Sequence, residues 1–192
     1  MKCYAITHKG LVRESNEDCC FIPERGENFA LVCDGMGGHL AGEVASRTAI
    51  DSMRRSLDGA NPGQEMLREA IREANIDVYR LAQDKPEYTG MGTTLTAIWW
   101  TDEKVLMGHV GDSRLYKFEG GKLTHLSHDH TYVQELVDLG EISEAEARTH
   151  PRRNLITRAI GTRLSVEIDT AAFERTPRSV YLICSDGLTN ML

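Results

Sequence analysis

The chain has 192 residues, 41% hydrophobic and 27% charged, which is enough for one domain with its own core and too ordinary a mix for wholesale disorder. A net charge of −7 without a long basic run argues against nucleic acid or an anionic membrane surface as partner, since both need clustered Lys and Arg. The five cysteines (Cys3, Cys19, Cys20, Cys33 and Cys184) are odd in number and form no Cys-x-x-Cys pair, so neither a disulfide framework nor a zinc knuckle is indicated.

Met1 to Gly10 lacks the apolar centre of a signal peptide, and no run approaches the ~20 apolar residues of a spanning helix. The expectation is a cytoplasmic chain with no membrane segment. Residues 18–23 and 29–33 are short β-prone runs separated by the turn-like Glu24-Arg25-Gly26-Glu27-Asn28. From Ala41 the period changes: Ala41, Val44, Ala45, Thr48, Ala49 and Met53 predict an amphipathic helix ending near Gly59. A second helix follows Pro62, carries Leu67, Ala70, Ile71, Ala74, Val78 and Leu81 on one face, and closes at Asp84-Lys85-Pro86.

Residues 93–101, 104–110 and 114–118 then read as strands of an antiparallel meander, with turns at Asp102-Glu103, Gly111-Asp112-Ser113 and Glu119-Gly120-Gly121. Residues 131–139 predict a short helix, and Ser143 with Glu146 looks like a capping box opening another. Residues 166–173 and 179–184 complete the strands. This order predicts an α+β fold with helices packed on antiparallel sheet. Cys33 and Cys184, inside apolar runs, are expected to be buried small hydrophobes.

Acidic residues recur where strands end. An apolar run delivers Asp34 into Gly35-Met36-Gly37-Gly38-His39, another delivers Asp186-Gly187, Gly111-Asp112-Ser113 follows a third, and Asn16-Glu17-Asp18 opens the first strand. Carboxylates gathered at one end of a sheet repel unless cations neutralise them, and an oxygen-only donor set suits Mg²⁺ or Mn²⁺ over zinc. Two such ions about 3.5–4 Å apart can activate a water and clamp a phosphoryl group. Arg13 is then the candidate phosphate anchor, since a guanidinium holds two oxygens at once. His39 is the candidate general acid for the leaving alkoxide. The His128-Asp129-His130 cluster reads as a solvated polar loop rather than a metal site.

Arg13-x-x-Asn16-Glu17-Asp18, Asp34-Gly35-Met36-Gly37-Gly38-His39, Gly90-Met91-Gly92-Thr93-Thr94, Gly111-Asp112-Ser113-Arg114 and Ser185-Asp186-Gly187 resemble, in order, the signature motifs of the metal-dependent (type 2C) protein phosphatases, bacterial branch. The resemblance implies that Asp34 bridges two metals, Gly35 gives a carbonyl to one and Asp186 ligates the other. It further implies that Glu17 and Asp18 orient metal-held waters and that Asp112 joins Asp186 at a third, weaker site. Residues 90–94 would be structural, and about 129–160 would form a flap used in substrate selection.

The fold it implies is an α/β (α+β) sandwich, two antiparallel β-sheets flanked by helices in four layers, within a single catalytic domain over 1–192. The family's final Asp-Asn pair does not appear after residue 187. The last strands and one ligand carboxylate are therefore expected to be missing. The reaction expected is hydrolysis of phosphoserine and phosphothreonine in proteins by a metal-activated water, with Mn²⁺ or Mg²⁺ as cofactor. Phosphoproteins would be the substrates, opposite a cognate bacterial Ser/Thr kinase. The rival reading is a phosphatase-like interaction module without turnover.

Overall fold

The computed structural model describes residues 1–24, 26–38 and 40–191. Strands β1 (Asp18–Phe21) and β2 (Phe29–Met36) lead into helices α1 (Leu40–Leu57) and α2 (Gln64–Asp84). Strands β3 (Gly92–Thr93), β4 (Leu95–Trp100), β5 (Lys104–Val110), β6 (Arg114–Glu119) and β7 (Lys122–His125) follow. The chain continues through helices α3 (Tyr132–Asp138) and α4 (Glu144–Thr149), strands β8 (Asp169–Glu174) and β9 (Val180–Cys184), and helix α5 (Asp186–Thr189). One antiparallel sheet runs β1-β2-β4-β5-β8, with β3 paired to the end of β2, and the other runs β7-β6-β9.

The central strands are apolar along their length because both of their faces are covered. On β2, β4 and β5, the side chains of Phe29, Leu31, Cys33, Leu95, Ala97, Trp99, Leu106 and Val110 pack with the inner faces of α1 and α2. The alternate residues Ala30, Ile98, Trp100, Val105 and Met107 pack with Leu115, Tyr181 and Ile183 of the second sheet. Period-two alternation thus feeds two cores from one sheet. Cys33 and Cys184 are buried as expected, and burial pushes both thiols up. No helix among the described residues is long and apolar enough to cross a membrane.

Four expectations need correction. The meander stops at β5: β5 pairs with β8, while β6 crosses to the second sheet between β7 and β9. Residues 93–101 form two strands, because the Thr94 N–H and the Thr93 hydroxyl both donate to the Asp34 carbonyl at 2.9 Å where the chain passes the end of β2. The strand expected from residue 166 begins at Asp169. Ahead of it, α2 takes the carbonyls as side-chain acceptors: Asn75 donates to Arg163 and Leu164, and Arg68 donates to Ile168. The capping box at Ser143 and Glu146 is present. The outer face of the second sheet is apolar and open among the described residues, with Phe118, Leu123, Val180 and Leu182 exposed. They therefore supply no fourth layer there.

Candidate metal centre

Strand register alone brings the first pair together, since Asp18 of β1 lies directly across from Asp34 of β2. Asp112 sits in the β5–β6 turn, and Asp186 is the first residue of α5. Electrostatics unites the four. Burial, then the charges of Asp18, Asp186 and Asp112, push the Asp34 carboxyl up to about 8. Burial, then Asp186 and Asp129, push Asp112 up to about 6. These carboxylates lie within each other's field, yet among the described residues no three His, Cys, Asp or Glu side chains are close enough to hold an ion as they stand. The donor chemistry fits a hard divalent cation: oxygen ligands only, partly desolvated, and mutually repulsive without a counter-charge.

The backbone under Asp34 is fixed on every side. Its N–H donates to Thr94 Oγ1 at 2.9 Å, and its carbonyl accepts from Thr93 and Thr94. Thr94 Oγ1 in turn lies 2.7 Å from Ser113 Oγ, which bolts the Asp34 strand end to the Asp112 turn. The Gly35 N–H donates to the Glu17 carbonyl at 3.2 Å, and Ser46 of α1 donates to the same carbonyl at 2.7 Å. The Glu17 carboxylate lies against Gly42, where an added Cβ would come within 2.7 Å of Glu17 Oε2. It therefore occupies the first turn of α1, the end of a helix that favours negative charge. Ser185 donates to Asp18 Oδ2 at 2.8 Å, and Asn190 donates to Asp186 Oδ2 at 3.0 Å.

The structure thus gathers Asp18, Asp34, Asp112 and Asp186, with Glu17 and Gly35 packed beside them. Arg13 is exposed in the segment ahead of β1. His39 lies outside the described residues.

The sequence reading of His128-Asp129-His130 as a solvated loop is corrected, because Asp129 and His130 are buried and only His128 is exposed. Arg114 grips Asp129 with Nε and Nη2, at 2.8 and 2.6 Å from Oδ2. His109, fully buried on β5, has Nε2 2.9 Å from the His128 carbonyl and Nδ1 2.9 Å from Thr96 Oγ1. A carbonyl only accepts, so Nε2 carries the hydrogen. Burial, then the neighbouring His130, lower His109 to about 4 and keep it neutral. The two imidazoles lie with centroids 4.8 Å apart. Sequence reasoning passed over this network. Its one visible signal was a histidine in the otherwise apolar run Val105-Leu106-Met107-Gly108-His109-Val110.

The model of the family described as protein phosphatase 2C matches residues 9–192. The chain is 39% identical over 194 residues to the serine/threonine phosphatase stp of Listeria monocytogenes, covering 97% of this chain and 77% of that protein. The crystal structure of the Mycobacterium tuberculosis serine/threonine phosphatase PstP/Ppp matches with a TM-score of 0.88 and 41% identity, over 95% of this chain and 77% of that one. The catalytic domain of PstP in complex with two manganese ions matches with a TM-score of 0.84 and 38% identity, over 95% and 76%. Fold and sequence agree across nearly the whole length, and the chain belongs to the protein phosphatase 2C family.

Proposed function

We propose that the chain removes phosphate from phosphoserine and phosphothreonine in proteins by direct attack of water, without a covalent enzyme intermediate. The observation that carries this reading is the convergence of four aspartates from four separate elements, where burial and mutual repulsion lift Asp34 to about 8. Such a cluster destabilises an ion-free protein and is relieved by cations. The two manganese ions of the PstP complex support the same assignment.

Asp34, Asp186, the Gly35 carbonyl and Asp112 would hold two Mn²⁺ or Mg²⁺ ions and a weaker third, with Glu17 and Asp18 orienting the surrounding water. When bound, the ions supply Lewis acidity toward the phosphoryl oxygens and lower the pKa of water. Arg13 receives the phosphate dianion, and His39 returns a proton to the departing Ser or Thr oxygen. Residues 1–192 act as one catalytic domain, and 129–160 form a flap over which the substrate protein is chosen. The substrates are phosphoproteins, the opposing enzyme is a Ser/Thr kinase, and both work in the cytoplasm.

The test is dephosphorylation of a phosphothreonine peptide with Mn²⁺ or with EDTA. Activity should require the ion, and Asp34→Ala should lower kcat/KM at least ~10³-fold, because Asp34 would serve as a ligand to both ions. Undiminished turnover by Asp34→Ala would end the reading.

A further inference from the structure

The buried histidine at the root of residues 131–157 does more than fill space. The Gly111 N–H donates to His130 Nδ1 at 3.0 Å, and the His130 N–H donates to the Gly111 carbonyl at 2.8 Å. Both backbone groups of the residue preceding Asp112 are therefore held by one side chain and its own amide. Gly111 has φ +111, and a Cβ there would lie 2.6 Å from Thr94, so no other residue type could supply this turn without strain.

The same histidine faces the other way as well. A backbone N–H only donates, so Nδ1 is the acceptor, and the neutral ring carries its hydrogen on Nε2, 3.2 Å from Asp169 Oδ2. Arg158 Nη1 lies 3.1 Å from Asp169 Oδ1, and its Nη2 pairs with Glu167 at 2.9 Å. The His130 carbonyl accepts from Thr157 N at 2.8 Å, Thr131 bridges Ile156, and Tyr132 N donates to Leu155 O. Residues 131–157 thus leave and return to the body at His130, the residue that grips the Asp112 turn.

We propose that His130 is a positioning residue that couples residues 131–157 to the Asp112 carboxylate, fixing that carboxylate for the weaker third ion. This rests on the metal-centre reading above. The bond that matters is the Gly111 N–H to Nδ1. Losing it leaves a buried donor unpartnered and frees the Asp112 turn. The link through Asp169 sets the ring's orientation, as a hydrogen-bonded partner does behind a ligand.

Asn and Gln separate the two ends of the ring, since an Asn side chain places its carbonyl near the Nδ1 position and a Gln side chain places its amide near Nε2. Mn²⁺ is titrated calorimetrically into the 192-residue chain and into Asp112→Asn, His130→Asn and His130→Gln, with melting temperatures alongside. The wild type should show a weak step that Asp112→Asn removes. His130→Gln should weaken that step by about tenfold or more and leave the tighter steps alone, whereas His130→Asn should retain it. A weak step unchanged in His130→Gln but absent in Asp112→Asn overturns the coupling and leaves the metal centre standing. An Asp112→Asn isotherm identical to the wild type's overturns the placing of an ion at Asp112 and the coupling with it. Equal loss of all steps in both His130 variants, with a fall in melting temperature, shows a packing role and overturns the proposal.

Discussion

Arg13 and His39 are assigned to opposite ends of the reaction, and kinetics can tell them apart. Arg13 is exposed ahead of β1, where a guanidinium stays hydrated until an anion arrives, and under the proposed role it would contribute to substrate capture. Arg13→Ala should raise KM for a phosphopeptide with a smaller effect on kcat. His39 is assigned to protonating the leaving oxygen, which a seryl or threonyl alkoxide needs and p-nitrophenolate does not. His39→Ala should therefore lower kcat strongly for the phosphopeptide and weakly for p-nitrophenyl phosphate. Equal losses on the two substrates would make His39 a structural residue.

Two strand-end motifs look alike as sequence but are built differently. Asp34-Gly35 and Asp186-Gly187 both follow apolar runs. A Cβ on Gly35 would lie 2.1 Å from the Gly42 carbonyl oxygen and 2.7 Å from that of Glu17, both backbone atoms that cannot rotate away. The nearest atom to a Cβ on Gly187 is Ser185 Oγ at 3.7 Å, an ordinary contact. Gly35→Ala should destabilise by about 3 kcal/mol or prevent folding, as overpacking does where nothing can yield. Gly187→Ala should melt close to the wild type in thermal denaturation, and equal melting of both variants would refute the packing argument.

The contrast also marks what was legible beforehand. Helices α1 and α2 were readable almost to their ends because their apolar stripes are local periodicities, and the Ser143 cap is a local hydrogen-bond pattern. The strand-end aspartates stood out for the same reason. Which sheet β6 joins, and that Asp129 and His130 are buried, depend on pairings between residues far apart in sequence. No period within a single strand encodes them.

Across the whole molecule, the metal centre and the buried histidines titrate with opposite signs. Asp34, raised to about 8, and Asp112, raised to about 6, contribute stability that is fully present below the ordinary carboxylate range and is lost as pH rises through those values. His109, lowered to about 4, contributes stability present above its ordinary 6.5 and lost as pH falls. Between about pH 4 and 6.5 the two effects oppose each other. From about 6.5 to 8 Asp34 alone of these three groups still titrates, so the ion-free chain in EDTA should melt at progressively lower temperature as pH rises across that window. Asp34→Asn, which cannot ionise, should flatten the decline and melt above the wild type near pH 8. Mn²⁺ should flatten it too, because the cation neutralises the carboxylate charge that protonation otherwise neutralises. An ion-free wild type whose melting temperature holds or rises from pH 6.5 to 8, with Asp34→Asn following the same course, would mean that the four aspartates do not share one field.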